Sequence, residues 1–318
     1  MASEKRRFLL VELLLAAVLS FLLLGLVLDR RQKPQKVIGV VIHQSAEGSW
    51  RGFLSGARAA AADEDVVLSV TENVNLAQAS DFEKTVQDAV SSGAAALIAK
   101  PVTDGASLEL LQTLSGRMPV ILAGASDASV CSVTPDNYAM GYSVGEEIRA
   151  DYESGLSGKT LGILLPEKSS GDTRQALRGL QDALDGSGVK ILYEVKNSLT
   201  NTEGADAVQR QQWVDIVAAL DDNNLGIAGD LSLTRNLHGA VVYGIGKSEK
   251  NLHLLEKKAL RAVVFPDEFT MGYKSVQEAA RALGRGRRPA PQTIPYKVLR
   301  PSTLFAEEND SLMYLMSR

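Results

Sequence analysis

The 318-residue chain is poor in the residues that form covalent or metal cross-links, with one cysteine and three histidines. Cys131 cannot form an intramolecular disulfide alone, and its place in an apolar run predicts a buried thiol rather than a reactive one. The histidines, which show no spacing typical of a metal site, are His43, His238 and His253. We therefore expect no disulfide framework, no metal and no other cofactor.

Most of the chain also lacks an excess of basic charge. Residues 37–318 hold 27 lysines and arginines against 35 aspartates and glutamates, a formal net charge of −8. The one short basic run, at Arg285, Arg287 and Arg288, has no interleaved aromatic residues and is typical of a solvated helix end. This composition argues against a nucleic-acid partner.

Complete enzyme motifs are missing as well. Residues 141–145 match the G-x-S-x-G pattern of hydrolases, but they lie within a predicted helix, whereas a nucleophile needs a strand-to-helix turn. Residues 246–248 match the end of a Walker A loop, but Val241 stands where its first glycine is required. We therefore expect no enzymatic activity.

One long hydrophobic run is present, at the start of the chain. Phe8 to Leu28 contains Glu12 as its only charged residue and is long enough to cross a hydrocarbon core of about 30 Å. No small-x-small cleavage site follows it, so we predict an uncleaved single-pass signal anchor. A cleaved signal peptide and a buried core helix remain alternatives. Basic residues flank the run on both sides, so charge alone does not set its orientation.

The rest of the chain alternates apolar strand runs with amphipathic helices, which predicts an α/β fold with parallel sheets. Strands are predicted at 37–42, 66–70, 94–99, 119–123, 160–165, 189–195, 225–228, 240–243 and 262–265. Helices are predicted at 50–62, 82–90, 108–114, 138–152, 173–184 and 208–220. The two successive series predict two similar lobes.

Several short segments are arranged as in a known family. They are Val37–His43 with Trp50, Ala96–Pro101, Pro119–Ala123, Asp136-Asn137 with Gly141, Arg174–Gly179, and Phe265–Asp267 with Gly272. In this order and spacing, residues 37 to about 306 resemble the type I periplasmic binding proteins, which include the ribose-binding proteins and the LacI-like ligand-binding domains.

The resemblance implies two Rossmann-like lobes with parallel sheets and a ligand cleft at the hinge, preceded by the transmembrane helix. The implied parts are a cytoplasmic tip, anchor (8–28) and tether in 1–36, a first lobe of 37–136 plus 267–290, and a second lobe of 137–266 plus 291–318. Members of this family work outside the cytoplasm. The resemblance therefore places the soluble domain on the extracytoplasmic side of the cell membrane.

Ligands of parallel sheets bind outside the carboxyl ends of the strands, so the loops there supply the candidate site residues. Trp50 can stack on a ligand or belong to the core, and Arg174 can clamp a polar group or be solvated. The other candidate ligand contacts are Glu47, Lys100, Ser126, Asp230, Lys247 and Asp267. Asp136 and Asn137 are expected to stabilise the hinge crossover and cap the helix that follows.

The sequence departs from the sugar-binding members at their polar positions. Where they usually have an Asp-Arg pair after the strand that corresponds to 119–123, this chain has Gly124-Ala125. An aspartate of the second lobe is replaced near Ile245, and an Asn-Asp pair there is reduced to Gly229-Asp230. We therefore expect weak binding of neutral monosaccharides and a preference for an anionic ligand, since buried polar groups need partners.

The resemblance implies a membrane-anchored substrate-binding protein that closes on a small solute, sugar-like or anionic. Its partners would be an ABC permease, for uptake, or a sensor kinase. The alternative is a partner-docking sensor module for a receptor kinase, with a degenerate ligand site. The uncleaved anchor and the altered sugar positions favour sensing over transport.

Overall fold

The computed structural model describes most of the chain. The described residues are 14–20, 35–43, 50–73, 79–101, 105–167, 170–196, 201–286, 288–306 and 309. Residues 14–20 are helical and exposed, while the rest of the predicted anchor lies outside the described residues. Among the described helices, none is long and apolar enough to cross a membrane. The chain divides into Met1–Lys36 and Val37–Arg318, and the second unit contains two α/β lobes.

The first lobe is built on a six-stranded sheet with the order β11-β5-β4-β3-β1-β2. Its strands are β1 (Lys36–His43), β2 (Val66–Asn73), β3 (Ala96–Ala99), β4 (Val120–Ala123), β5 (Cys131–Pro135) and β11 (Gln292–Ile294). Its helices are α1 (Arg51–Asp63), α2 (Ala79–Ser91), α3 (Gly105–Ser115) and α9 (Glu268–Arg285). The pairings from β1 through β3, β4 and β5 to β11 are parallel, and β3 and β4 are buried throughout. Helices on the faces of a parallel sheet produce this burial.

The second lobe repeats this architecture, with the strand order β12-β10-β9-β8-β6-β7. Its strands are β6 (Thr160–Leu165), β7 (Lys190–Lys196), β8 (Ile216–Ala219), β9 (Val241–Ile245), β10 (Ala262–Pro266) and β12 (Tyr296–Leu299). Its helices are α4 (Asn137–Asp151), α5 (Gly171–Leu184), α6 (Asn201–Gln209), α7 (Asp222–Leu233) and α8 (Glu249–Glu256). Only β12, in this sheet, runs antiparallel to its neighbour. The two predicted α/β lobes are thus confirmed.

The chain passes between the lobes three times. It leaves β5 for α4 at Asp136, leaves β10 for α9 at Asp267, and runs from β11 into β12 through Pro295. The backbone N–H of Asp267 donates to the carbonyl of Pro295 at 3.0 Å, which ties two of these crossings together. The prediction had placed residues 291–318 in the second lobe, whereas β11 pairs with β5 of the first. β11 is only three residues long and is joined to β12 through a single proline. It is too short to show a strand pattern in the sequence, so it was not predicted.

Asp136 has the capping role that the sequence predicted. Its Oδ1 accepts a hydrogen bond from the backbone N–H of Ala139 at 2.9 Å, and Asn137 is the first residue of α4. An N-cap satisfies a backbone donor that the helix itself cannot, typically worth about 1 kcal/mol. This cap fixes where the first crossing ends.

Two predicted elements of the second lobe are wrong. Residues 208–220 were predicted as one helix, but α6 ends at Gln209 and β8 occupies Ile216–Ala219. Residues 225–228 were predicted as a strand, but they lie inside α7, where residues 224–229 are all buried. A short buried strand and a buried helix segment are both apolar without interruption, so periodicity does not separate them.

Glycines allow α4 and α5 to pack with their backbones in contact. A Cβ atom on Gly141 would overlap the carbonyl oxygen of Ala176, and one on Gly179 would overlap that of Tyr138. A Cβ on Gly145 would lie only 2.5 Å from the Cβ of Ala183. The G-x-S-x-G pattern of residues 141–145 lies within α4, as predicted, and its glycines are the points of closest helix packing.

The first lobe contains an equivalent pair. A Cβ on Gly56 of α1 would overlap the carbonyl oxygen of Phe269, and one on Gly272 of α9 would overlap that of Phe53. Side chains are excluded at both points because the two backbones are in contact. Each lobe thus has one helix pair held at the distance that only glycine permits.

Cys131 is partly buried in β5. Burial raises the pKa of its thiol to about 12, and the negative charge of Glu278 acts in the same direction. The thiol is therefore protonated at neutral pH. This agrees with the expectation of an unreactive cysteine.

Candidate functional site

Residues from both lobes meet at Trp50, which immediately precedes α1. Its side chain is only 6% exposed and packs edge-on against Phe53, with ring centroids 5.2 Å apart. The Nζ atom of Lys100, which follows β3, lies 5.3 Å from the indole centroid. The Nζ atom of Lys247, which follows β9 of the second lobe, lies 4.6 Å from the same centroid. Three of the predicted site residues are thus brought together at the carboxyl ends of strands.

Glu268 completes this cluster and was not among the predicted residues. It is the first residue of α9, it is 6% exposed, and its Oε1 lies 3.1 Å from the Nζ atom of Lys247. The available signal was an acidic residue directly after the crossing at Asp267. Because Glu268 belongs to the first lobe and Lys247 to the second, this ion pair joins the lobes beside Trp50.

A second ion pair also crosses between the lobes. Arg51 Nη1 lies 3.8 Å from Glu249 Oε2, and the two side chains are 58% and 44% exposed. An exposed pair of this kind contributes little stability, about 0–1 kcal/mol. The more buried pair of Lys247 and Glu268 is therefore the stronger contact of the two.

Asp222 fixes the loop that carries Lys247. Its Oδ1 accepts hydrogen bonds from the backbone N–H groups of Lys247 and Ser248 and from the side-chain amide of Asn251, which is fully buried. These hydrogen bonds hold the backbone of Lys247 in place and so position its ammonium group. Asp221 caps α7 through the backbone N–H of Asn224 at 3.0 Å.

The misassigned strand at 225–228 explains why Asp230 was selected and these two acids were missed. The second-lobe strand that the resemblance points to is β8, and the acidic pair that follows it is Asp221-Asp222. Asp230 lies eight residues into α7, about 12 Å along the helix axis from its start. Its carboxylate pairs with Lys250 at 2.7 Å on the exposed surface. Asp230 is therefore not at the carboxyl end of a strand.

Asp267 is engaged as the N-cap of α9. Its Oδ1 accepts from the backbone N–H of Thr270 at 2.9 Å, and its Oδ2 accepts from the hydroxyl of Thr270 at 2.7 Å. Arg174 lies in the first turn of α5 and Ser126 follows β4, and both are exposed. Glu47 lies outside the described residues.

The backbone of the loop after β4 disfavours a side chain at Gly124, where sugar binders have the aspartate of their Asp-Arg pair. Gly124 has a left-handed backbone, with φ of +65°, and a Cβ there would lie 3.6 Å from the sulfur of Met271. The nearest carboxylate, Asp127, accepts hydrogen bonds within its own loop, from the hydroxyl and backbone of Ser129 among others. These bonds lower its pKa, the Ser129 hydroxyl having the largest effect. Across the described residues, no cluster of three or more His, Cys, Asp or Glu is placed to hold a metal ion.

Several solved structures with a similar fold are sugar- or solute-binding proteins by name. The glucose-galactose binding protein GanP of Geobacillus stearothermophilus is 19% identical, with a TM-score of 0.74 over 86% of this chain and 100% of its own. An ABC transporter solute binding protein of Bacillus halodurans C-125 with bound myo-inositol is 20% identical, with a TM-score of 0.74 over 88% and 99%. The structure of the XylFII–LytSN complex contains a chain that is 16% identical, with a TM-score of 0.71 over 84% and 98%. At these identities the likeness shows the fold alone.

Sequence comparison is more specific. No curated protein matches the chain. A family model described as the periplasmic binding protein domain matches residues 38–287, which is well over half of the chain. The crossings at Asp136 and Asp267 and the residues of the charged cluster all lie within the matched range. The chain is therefore a member of the periplasmic binding protein domain family.

Proposed function

We propose that the chain is an extracytoplasmic binding protein whose lobes close on a small solute with a sugar-like body and an anionic group. The observation that carries this proposal is the meeting of Lys100 and Lys247, one from each lobe, over the indole of Trp50. Two ammonium groups beside this largely buried indole suit a carboxylate or phosphate. An anionic group would compete with Glu268 for Lys247 and so couple binding to the contact between the lobes.

Neutral sugars fit this arrangement less well. Gly124 stands where sugar-binding members have an aspartate that accepts hydrogen bonds from sugar hydroxyl groups. Its backbone is left-handed. The named ligands of the similar structures, glucose, galactose and myo-inositol, support a polyol-shaped body. The lysines add the preference for charge, because two ammonium groups beside the same indole attract an anion.

A thermal-shift screen on the purified chain tests this proposal. We expect sugar acids and sugar phosphates to raise the melting temperature more than the matching neutral sugars, nucleosides or simple organic acids. In a Trp213→Phe background, Trp50 is the only indole, and its emission should change as the lobes close. Trp50→Ala should weaken binding by about 1–3 kcal/mol, roughly 5- to 150-fold. Stabilisation by ribose, glucose or galactose alone would contradict the preference for an anion.

A second function is favoured by one observation. Lys247 and Glu268 neutralise each other within the chain, so this ion pair itself joins the lobes. A chain of the XylFII–LytSN complex shares the fold, which supports docking on a partner protein. The alternative to delivery to an ABC permease is a sensor that docks on a partner such as a receptor kinase. This alternative would be favoured if no solute changed the melting temperature in the thermal-shift screen. It would also require that the chain binds the outer domain of a kinase encoded by a neighbouring gene.

We also propose that residues 8–28 anchor the chain in the cell membrane, with residues 37–318 outside. The support is the length and apolarity of the run. Protease added to intact spheroplasts should remove the soluble domain while a cytoplasmic marker protein survives. If the domain survives together with the marker, the proposed orientation is wrong.

A further inference from the structure

The amino ends of the second sheet form a surface on the side away from the three crossings. We call it the distal surface and define it by the strand starts at Lys159, Asp215, Val241 and Arg261, together with the turn at 235–240. Three concavities of about 350, 610 and 350 Å³ lie there and share walls along that turn. The strands are four to six residues long, so roughly 15 Å separates this surface from the carboxyl ends.

An exposed tryptophan lines one of the three concavities of the distal surface. Trp213 is 71% exposed, and its ring stacks on that of His238 with centroids 3.9 Å apart and planes 25° apart. The nearby Asp215 accepts from Lys159 at 2.9 Å and from the backbone and hydroxyl of Thr160 at 2.9 and 2.8 Å. These bonds anchor the segment that carries Trp213. The indole is thus held in place while most of its surface faces solvent.

The distal surface is basic within an acidic domain. Its concavities are lined by five permanent cations, Lys159, Arg235, Lys258, Arg261 and Arg300. Asp215 pairs with Lys159, and Asp151 pairs with both Arg261 and Arg300. Arg235 and Lys258 have no carboxylate of the described residues within 4.0 Å.

Arg235 and Lys258 also share an unusual backbone. Both adopt left-handed conformations, with φ of 60° and 61°, as does His238 with 53°. Such a conformation costs about 1–2 kcal/mol for a residue with a side chain and costs glycine almost nothing. Three of the four non-glycine residues of this kind among the described residues lie on the distal surface, and each presents a basic side chain.

We propose that the distal surface docks an acidic segment of a protein partner. The exposed part of Trp213 contacts an apolar side chain of that segment, and Arg235 and Lys258 bind flanking carboxylates. Tryptophan and arginine are the residue types most enriched at the energetic centres of protein interfaces. Of the five cations, only Arg235 and Lys258 have no carboxylate partner among the described residues. Two such cations suit a peptide with a few acidic residues around one apolar side chain better than a polysaccharide that is charged along its whole length. This contact is separate from the solute cleft.

Fluorescence anisotropy with labelled acidic polymers tests the proposal on the full chain in detergent. The probe is a random copolymer of glutamate and tyrosine, compared with polyglutamate and polygalacturonate. We expect the copolymer to bind more tightly than polyglutamate, because tyrosine supplies the apolar contact for Trp213. Trp213→Ala should weaken copolymer binding roughly tenfold or more. The double variant Arg235→Ser with Lys258→Ser should weaken it similarly and reduce its dependence on salt.

A matched control removes the same charge elsewhere. Arg58 and Lys84 are exposed on helices α1 and α2 of the first lobe, and Arg58→Ser with Lys84→Ser should leave copolymer binding unchanged. Melting temperatures confirm that each variant is folded. The proposal would be overturned if the control variant lost as much affinity for the copolymer as the double variant. It would also be overturned if Trp213→Ala left that affinity unchanged. Tighter, Trp213-dependent binding of polygalacturonate would overturn it as well, because it would make the surface a carbohydrate site.

Discussion

Gly141→Ala is expected to lower the melting temperature by about 4–8 °C. The added Cβ would overlap the carbonyl oxygen of Ala176, so α4 and α5 must separate along their contact. Overpacking of a close backbone contact costs about 3 kcal/mol or more, which outweighs the gain of up to about 1 kcal/mol from the better helix propensity of alanine. Thermal unfolding followed by circular dichroism measures the change. Gly272→Ala should behave similarly in the first lobe, because its Cβ would overlap the carbonyl oxygen of Phe53.

The matched control is Gly284→Ala. Gly284 also lies in a helix, α9, but no atom lies within 4 Å of its Cβ position. This substitution should leave the melting temperature unchanged or raise it slightly, since only the helix propensity changes. If Gly141→Ala is as harmless as Gly284→Ala, the two helices of the second lobe do not touch at that point.

Lys247→Met is expected to weaken the contact between the lobes and destabilise the chain by about 1–3 kcal/mol. The carboxylate of Glu268 is only 6% exposed, and the substitution leaves it beside Trp50 without its ammonium partner. A nearly buried carboxylate that loses its counter-charge carries a desolvation penalty that the partner had offset. We expect a lower melting temperature and a larger radius of gyration in solution scattering, as the lobes spend more time apart.

Lys250→Met provides the control for this experiment. Lys250 pairs with Asp230 at 2.7 Å, but both side chains are more than half exposed, so the same substitution should change stability by less than about 1 kcal/mol. A double variant, Lys247→Met with Glu268→Met, should recover much of the lost stability, because it removes both charges. If it is less stable than the sum of the two single variants predicts, the ion pair is not what joins the lobes.

The alternation of strands and helices was predictable because the strands of a parallel sheet are buried on both faces. Runs such as Ala96–Ala99 and Val120–Ala123 are apolar without interruption and are followed by loop residues, so their type and order were clear from the sequence. The two edge strands near the C-terminus were missed. Gln292–Ile294 and Tyr296–Leu299 are short, contain polar residues and are separated only by Pro295, so no local pattern marks them.

The candidate site was predictable only where the strands were. Trp50, Lys100 and Lys247 follow correctly identified strands, and the structure brings them together. Asp222 was missed because β8 was read as part of a helix and α7 as a strand, which shifted the expected loop by about eight residues. Glu268 was missed because its position after Asp267 is only a weak signal, and its importance arises from a contact with Lys247 of the other lobe.

The threefold passage of the chain between the lobes also decides the order in which they can be completed during synthesis. The first lobe needs α9 and β11, but these follow the whole of α4 to β10 in the sequence. Until then, the face of α1 around Phe53 and Gly56 lacks its partner helix and β5 forms an open sheet edge. A growing chain folds from its N-terminus, so a nearly complete second lobe emerges while the first is still unfinished. A chain truncated before residue 268 would therefore expose apolar surface in its first lobe, which would lack α9 and β11. Aggregation of such a chain is then expected to start from the N-terminal lobe rather than from the C-terminal one.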